Sequence, residues 1–209
     1  MDCFSFSFIF ARIFINTSGI GFINDDVNIF PRNCTPGDVI IINGRIADHG
    51  IAIMSAREGL TFETEIVSDT APLNSLVELM LGVSKNIHVL RDPTRGGVAS
   101  ALNEIASTSK TGIVIDENKI PVAEEVKGAC EILGLDPMYI ANEGKLLAFV
   151  AKEDAEKVLN AMRAHPLGKD SVIIGNVTNF NPASVMMKTS IGSMRIVDML
   201  SGEQLPRIC

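Results

Sequence analysis

The run Asp92-Pro93-Thr94-Arg95-Gly96-Gly97 constrains this chain more than any other. It follows a brief apolar stretch, His88-Val89-Leu90, and leads at once into Val98, Leu102 and Ile105 at helical spacing. A strand must therefore turn into a helix here within a few residues. Paired glycines at a helix start let the backbone approach an anion, and the free N–H groups and helix dipole there favour phosphate. Arg95 adds a bidentate donor, and Asp92 suits Mg²⁺ or a polar ligand group. The pattern is neither a Walker loop nor a Rossmann fingerprint. Its plain alternative is a β–α turn whose glycines serve packing.

The rest of the chain supplies similar units. Asp38 to Asn43, bounded by Gly37 and Gly44, reads as a buried strand. Ile46 to Glu58 reads as a helix with Ala47, Ile51 and Met54 on one face and Gly59 as its stop. Ser68, Asp69 or Thr70 is placed to cap the next helix, with Pro72 in its first turn and Leu73, Leu76, Val77 and Met80 as its stripe. Gly112 to Asp116 is a strand. Pro121 opens a helix with Val122, Val126, Ala129 and Leu133 inward and Gly134 after it. Asn142-Glu143-Gly144 reads as a tight polar turn before a strand from Lys145 to Val150. Glu153 to Ala164 is a helix with Ala155, Val158, Leu159 and Met162 inward. Three strands close the chain, at 171–177, 185–189 and 192–199. About seven strands and five helices after residue 37 predict an α+β fold, a mixed and largely antiparallel sheet packed with helices.

Composition matters at three points. A net charge of −7 argues against a nucleic-acid backbone as partner. Cys3, Cys34, Cys130 and Cys209 form no Cys-x-x-Cys pair, which fits a reducing cytoplasm better than a disulfide framework. Cys130 sits at an apolar helical position, as a small hydrophobe would. Phe4, Phe6, Phe8 and Phe10 alternate with smaller residues, favouring a strand. That stretch is too short to span a membrane, and it lacks a signal peptide's basic start.

Other groups carry chemistry less plainly. Asn142-Glu143-Gly144-Lys145 places a carboxylate where burial would make it a general base, against a solvated turn as the alternative. Asp48-His49-Gly50 is suited to bind an anion or to cap a helix through Asp48, although a lone His is more often structural. His88 and His165 show no metal-ligand spacing with His49, and the sequence offers no metal cage and no Ser-His-Asp set. The chain ends Pro206-Arg207-Ile208-Cys209, on a thiol. A thiolate is a strong nucleophile, with a free pKa of about 8.5. Eight extended residues reach about 26 Å, at about 3.3 Å each.

Taken in order, Asp48-His49-Gly50, Ser55 to Gly59, Arg91 to Gly97, Asn142 to Lys145 and the terminal Pro206-Arg207-Ile208-Cys209 resemble the HypE family of hydrogenase expression/formation proteins. These are the carbamoyl dehydratases of nickel–iron hydrogenase maturation, within the wider aminoimidazole ribonucleotide (AIR) synthetase-like ATP enzymes. The resemblance runs from about Thr17 to Cys209. It implies an AIR synthase-related C-terminal domain over 37–200, a connector over 17–36 and a mobile tail over 201–209. It implies that a HypF-like carbamoyltransferase loads Cys209, and that ATP with Mg²⁺ drives dehydration of the carbamoyl group to S-cyanocysteine. Glu143 is then the base, and Asp92, Thr94, Arg95, Gly96, Gly97, Asn142 and His49 are the cofactor-binding set. The cyano group passes on to a HypC–HypD-like iron scaffold, and the enzyme is a cytoplasmic homodimer.

Residues 1–16 depart from that family, whose members are considerably longer at the N-terminus. They read as a divergent leader or the remnant of an ATP-binding domain. A lysine the family uses near the reacting group has no counterpart there, since Lys85 is the first lysine. The expectation is a domain that folds but turns over little ATP alone. The alternatives are a non-catalytic module that presents Cys209 to partners, and a redox tether.

Overall fold

The chain's structure is a computed structural model, describing Ser18, residues 20–59 and residues 64–200. The alternating phenylalanines near the start and the terminal Cys209 lie outside the described residues.

Strand β1 (Val39–Ile42) is the centre of the molecule, and its sequence explains why. Val-Ile-Ile-Ile is β-branched throughout, and residues of that kind fit a pleated surface. Ile40, Ile41 and Ile42 are all completely buried, so both sheet faces must be covered. The other strands are β2 (Ile87–Arg91), β3 (Gly112–Asp116), β4 (Leu147–Val150), β5 (Val172–Thr178), β6 (Ser184–Lys188) and β7 (Met194–Ile196). They form one sheet in the order β2-β4-β1-β5-β3-β6-β7. Every pairing is antiparallel except β3 with β6. The expected mixed, largely antiparallel α+β sheet is therefore present.

Period-two alternation sends β1's side chains to two cores. Ile40 and Ile42 join Phe149, Ile113 and Ile115 beneath helix α3 (Gly97–Ser109), which contributes Val98, Leu102 and Ile105. Ile41 joins Ala148 and Val150 on the opposite face. Helix α2 (Asn74–Val83) adds Leu76 and Met80 there, and α5 (Ala155–Ala164) adds Val158, Leu159 and Met162. A smaller core joins α1 (Asp48–Glu58) to α4 (Glu124–Leu133) through Ala47, Ile51, Val126 and Ala129. Cys130 is buried in it, as its helical position predicts.

Some boundaries differ from those the sequence predicts. Helix α1 begins at Asp48 because Ala47 takes a left-handed φ of 73°. Helix α4 begins at Glu124, since Pro121 gives its carbonyl to Ile46 outside any helix. Strand β4 begins at Leu147, because the Leu146 N–H is taken by the Asn43 side chain. Ser68, Asp69 and Thr70 do not cap α2, whose N-cap is Leu73 without a side-chain bond.

Candidate active site

Two buried asparagines hold the turn between Ala141 and Leu147. Asn142 is completely buried. Its Oδ1 accepts the Ala47 N–H at 2.8 Å, while its Nδ2 donates to the carbonyls of Pro93 and Ile140. Asn43 donates to the carbonyls of Gly144 and Leu167 and accepts from Leu146 N–H. The turn is thus an internal joint between α1, the loop before α3 and β1, rather than a solvated hairpin. Gly144 is required there, since a side chain would run into the Asp69 carbonyl.

Glu143 projects from this joint. Its N–H donates to Asp69 Oδ1 at 3.2 Å. Lys145 Nζ lies 2.9 Å from Asp69 Oδ2, an ion pair with both side chains largely buried, although off the hydrogen-bonding direction. His49, 7% exposed in the first turn of α1, has its Nδ1 2.8 Å from Ser68 Oγ. Its Nε2 faces Glu143 Oε1 across 4.0 Å. Neither atom has a hydrogen-bond partner among the described residues. Asp48 lies beside them, and burial pushes its carboxyl above the ordinary aspartate range against the pull of Arg45 and Lys145. A cleft of about 300 Å³ opens next to the cluster, lined by Asn43, Arg45, Asp48, Asp69, Lys145 and Lys169 among others. A larger cleft of about 480 Å³, over Ile46, Cys130, Met138 and Met187, contains none of the candidate catalytic or cofactor-binding residues.

The structure brings Glu143, Asn142 and His49 together and reaches the Asp92–Gly97 loop through Pro93. Asp92 and Arg95 are exposed on the rim, and Thr94 Oγ1 donates to Asp92 at 3.2 Å. Gly96 and Gly97 have left-handed φ of 68° and 61°. Added Cβ atoms would strike the Ser100 side chain and the Met138 and Ile140 carbonyls, respectively. Close packing therefore accounts for both glycines, and the loop offers one guanidinium and a helix start. Among the described residues, no group of three or more His, Cys, Asp or Glu is placed to hold a metal ion. Likewise, no helix is long and apolar enough to cross a membrane.

Sequence reasoning missed Asn43, Ser68 and Asp69, and gave Lys145 no role. Only the Ser68-Asp69-Thr70 cluster carried a local signal, and it read as a cap.

With the sheet and this site in view, comparison with known proteins defines the class. Residues 35–188 match the AIR synthase related protein, C-terminal domain, and the chain belongs to that family. Within it, the chain is 53% identical over 197 residues to the carbamoyl dehydratase HypE of Cupriavidus necator, covering 94% of this chain and 56% of that protein. Among solved structures, it resembles HypE in a HypE–HypF complex (50% identity, TM-score 0.79, 82% of this chain and 55% of that one). It also resembles HypE in complex with ATP (45% identity, TM-score 0.81, 87% and 55%). The chain therefore spans little more than half the length of these relatives.

Proposed function

We propose that this chain acts in hydrogenase maturation as part of an ATP-dependent carbamoyl dehydratase whose substrate is a carbamoyl group on its own Cys209. The observation that carries the reading is the part-buried Glu143 carboxylate, whose Oε1 is turned inward although the side chain is 27% exposed. Its backbone is fixed by Asp69 and its Oε1 is left without a partner. A carboxylate held in that way keeps a lone pair ready for an incoming N–H. The two thiols among the described residues are poor competitors, since burial pushes Cys34 and Cys130 up to about 11.

ATP supplies the phosphoryl group that makes the carbamoyl oxygen a leaving group. The chain's own work is proton removal. The S–C(=O)–NH₂ group loses two N–H protons; their electron pairs become the C≡N bonds, and the C–O pair leaves with phosphate. One proton leaves with the phosphate and one reaches solvent. Arg95 and Thr94, with Asp92, line the rim on which charged oxygen is held. Asn142 and His49 position the turn and the base. The remaining ATP and Mg²⁺ contacts are assigned to the part of the relatives this chain does not match. The HypE–HypF complex supports a HypF-like carbamoyltransferase as loading partner. A HypC–HypD-like scaffold as acceptor, a homodimer and a cytoplasmic location complete the proposal.

The test is mass spectrometry of Cys209 after incubation with a HypF-like carbamoyltransferase, carbamoyl phosphate and ATP. The chain is assayed alone and joined to the N-terminal part of the C. necator relative. Gain of a carbamoyl group followed by loss of water in the joined protein is expected, with little ADP from the chain alone. No cyano product in the joined protein sinks the reading. A second reading, a non-catalytic module presenting Cys209, is favoured by Gly96 and Gly97, both of which packing against Ser100, Met138 and Ile140 explains. It predicts carbamoylation without dehydration, and no ATP binding by calorimetry.

A further inference from the structure

Beyond the last strand the chain is held residue by residue. Strand β7 ends at Ile196. Just before that end, Arg195 reaches Asp136 Oδ2 at 2.7 Å. Just after it, Val197 is completely buried, and its N–H donates to the Val185 carbonyl at 2.9 Å. The Val197 carbonyl accepts from Asn103 Nδ2 at 2.8 Å, and the same amide donates to the Ala99 carbonyl within α3 at 2.9 Å. Both hydrogens of that amide are thereby used. The next carbonyl, of Asp198, accepts the Tyr139 hydroxyl at 3.0 Å. Tyr139 is set in turn by the short 3-10 turn Pro137–Tyr139, where Asp136 Oδ1 accepts the Met138 N–H. Leu200 then arrives beside the loop before α3, its Cδ2 3.6 Å from where a Cβ on Gly96 would stand. The register of β7 stops at Ile196, so Asn103 and Tyr139 hold the chain that follows the sheet.

We propose that Asn103 and Tyr139 are positioning residues that fix the base of the Cys209 arm beside the Arg95 loop. The proposal rests on the dehydratase reading above and deepens it, since it names what delivers the tethered substrate. Pro93 stands three residues before Gly96, its carbonyl accepts the Asn142 N–H at 3.2 Å, and Glu143 follows. The Gly97 N–H bonds back to the Thr94 carbonyl, so this path is folded. At about 3.8 Å per residue step, the Cα atoms of Gly96 and Glu143 lie within about 20 Å of each other. Nine residues, 201–209, follow Leu200. As a flexible arm they average about 15–18 Å end to end, at about 5–6 Å times the square root of their number. Arm and span are thus of similar size, the condition under which a tethered group is most concentrated at its target. Releasing the two anchors lengthens the free arm to residues 198–209, and a longer arm spreads the thiol through a larger volume.

Two measurements test this. In the 209-residue chain carrying Cys3→Ser, a nitroxide is attached to Cys209 and the broadening of backbone amide NMR signals is read. Broadening is expected to be strongest at residues 94–97. It should weaken there in Tyr139→Phe, and further in Asn103→Ala with Tyr139→Phe, while the signals of β1 stay in place. Broadening spread evenly over the surface, or unchanged in the double variant, overturns the anchor. The second measurement uses the chain joined to the N-terminal part of the C. necator relative. Its Cys209 is carbamoylated with cyanate, whose C=N bond adds the S–H, and one turnover is started with ATP. The double variant is expected to dehydrate its own carbamoyl group about 1.5-fold more slowly, and a nine-residue Gly/Ser insertion after Leu200 about 3-fold, following the −3/2 power of arm length. Neither change should alter the rate on a free S-carbamoyl peptide of residues 203–209, measured in joined proteins carrying Cys209→Ser. Removing residues 201–203 from the double variant should return the tethered rate. A fault in folding would slow the tethered and the free reaction alike, without recovery on shortening, and that result rejects the positioning role. Broadening centred on residues 94–97 in a chain whose joined form yields no cyano product would keep the anchor and reject the dehydratase reading.

Discussion

Asn142 Oδ1 accepts the Ala47 N–H at 2.8 Å, tying together positions 95 residues apart in sequence. The bond holds the left-handed Ala47 that starts α1, and so fixes where His49 stands. Truncation to Asn142→Ala would leave that buried N–H and the Ile140 carbonyl without their side-chain partner, while the Pro93 carbonyl keeps the backbone N–H of residue 142. The expected loss is about 2–4 kcal/mol. Urea unfolding of the chain measures it, and a loss under about 0.5 kcal/mol, the size of a neutral surface change, would show the joint to be incidental.

The glycine at the start of α3 is required by packing. A Cβ at Gly97 would sit 2.5 Å from the Met138 carbonyl, at a φ of 61°. Gly97→Ala is therefore expected to cost about 2 kcal/mol or more. Gly128, within α4, has nothing within 4 Å of such a Cβ. Gly128→Ala should instead stabilise by about 0.5–1 kcal/mol through helix propensity. Thermal unfolding of the two variants side by side decides the matter; similar behaviour would refute it.

How much of this was readable in the sequence depends on the range of the interaction. The β-branched run of β1, the stripe of α5 and the left-handed Gly134 after α4 are local patterns, and each appears where its pattern puts it. The sheet's mixed character also followed, because helices alternate with strands before three strands close the chain. The site followed only in part. Glu143 and His49 stood out by residue type, but Asp69 meets Glu143 across 74 residues and Asn43 meets Gly144 across 101. No periodicity reports such contacts. Ser68-Asp69-Thr70 misled because a cap and a site anchor use the same short oxygen side chains. The glycines before α3 leave two readings open in sequence for a related reason: a left-handed φ serves tight packing as well as anion approach.

Asp48 gives a pH-dependent expectation. Burial raises its carboxyl above the unfolded value, with Arg45 and Lys145 opposing and Asp69 and Glu125 assisting. The folded chain then binds the proton more tightly than the unfolded chain, so stability contributed by the neutral form is lost as pH rises through the raised value. Asp48→Asn removes that loss. At pH 7 it should melt higher than the unsubstituted chain, as thermal unfolding at that pH measures. The advantage should shrink toward zero as pH falls below the ordinary aspartate range. A gap that widens on acidification would contradict the assignment.

The Lys145–Asp69 pair should be worth little as a source of stability, yet costly to break by halves. Lys145 Nζ stands 2.9 Å from Asp69 Oδ2, with the two side chains 11% and 4% exposed. Lys145→Met strands a buried carboxylate, a change expected to cost about 3–5 kcal/mol. Asp69→Asn keeps an oxygen for the Glu143 N–H and leaves a lysine that lines the open cleft, so its cost should be smaller, about 1–2 kcal/mol. In the double variant neither charge is stranded, and most of the Lys145→Met loss should return. A double-mutant cycle by urea unfolding should therefore give a coupling of at least about 1 kcal/mol. Simple additivity would mean that the two charges do not sense each other, and that Asp69 holds the Glu143 backbone independently of Lys145.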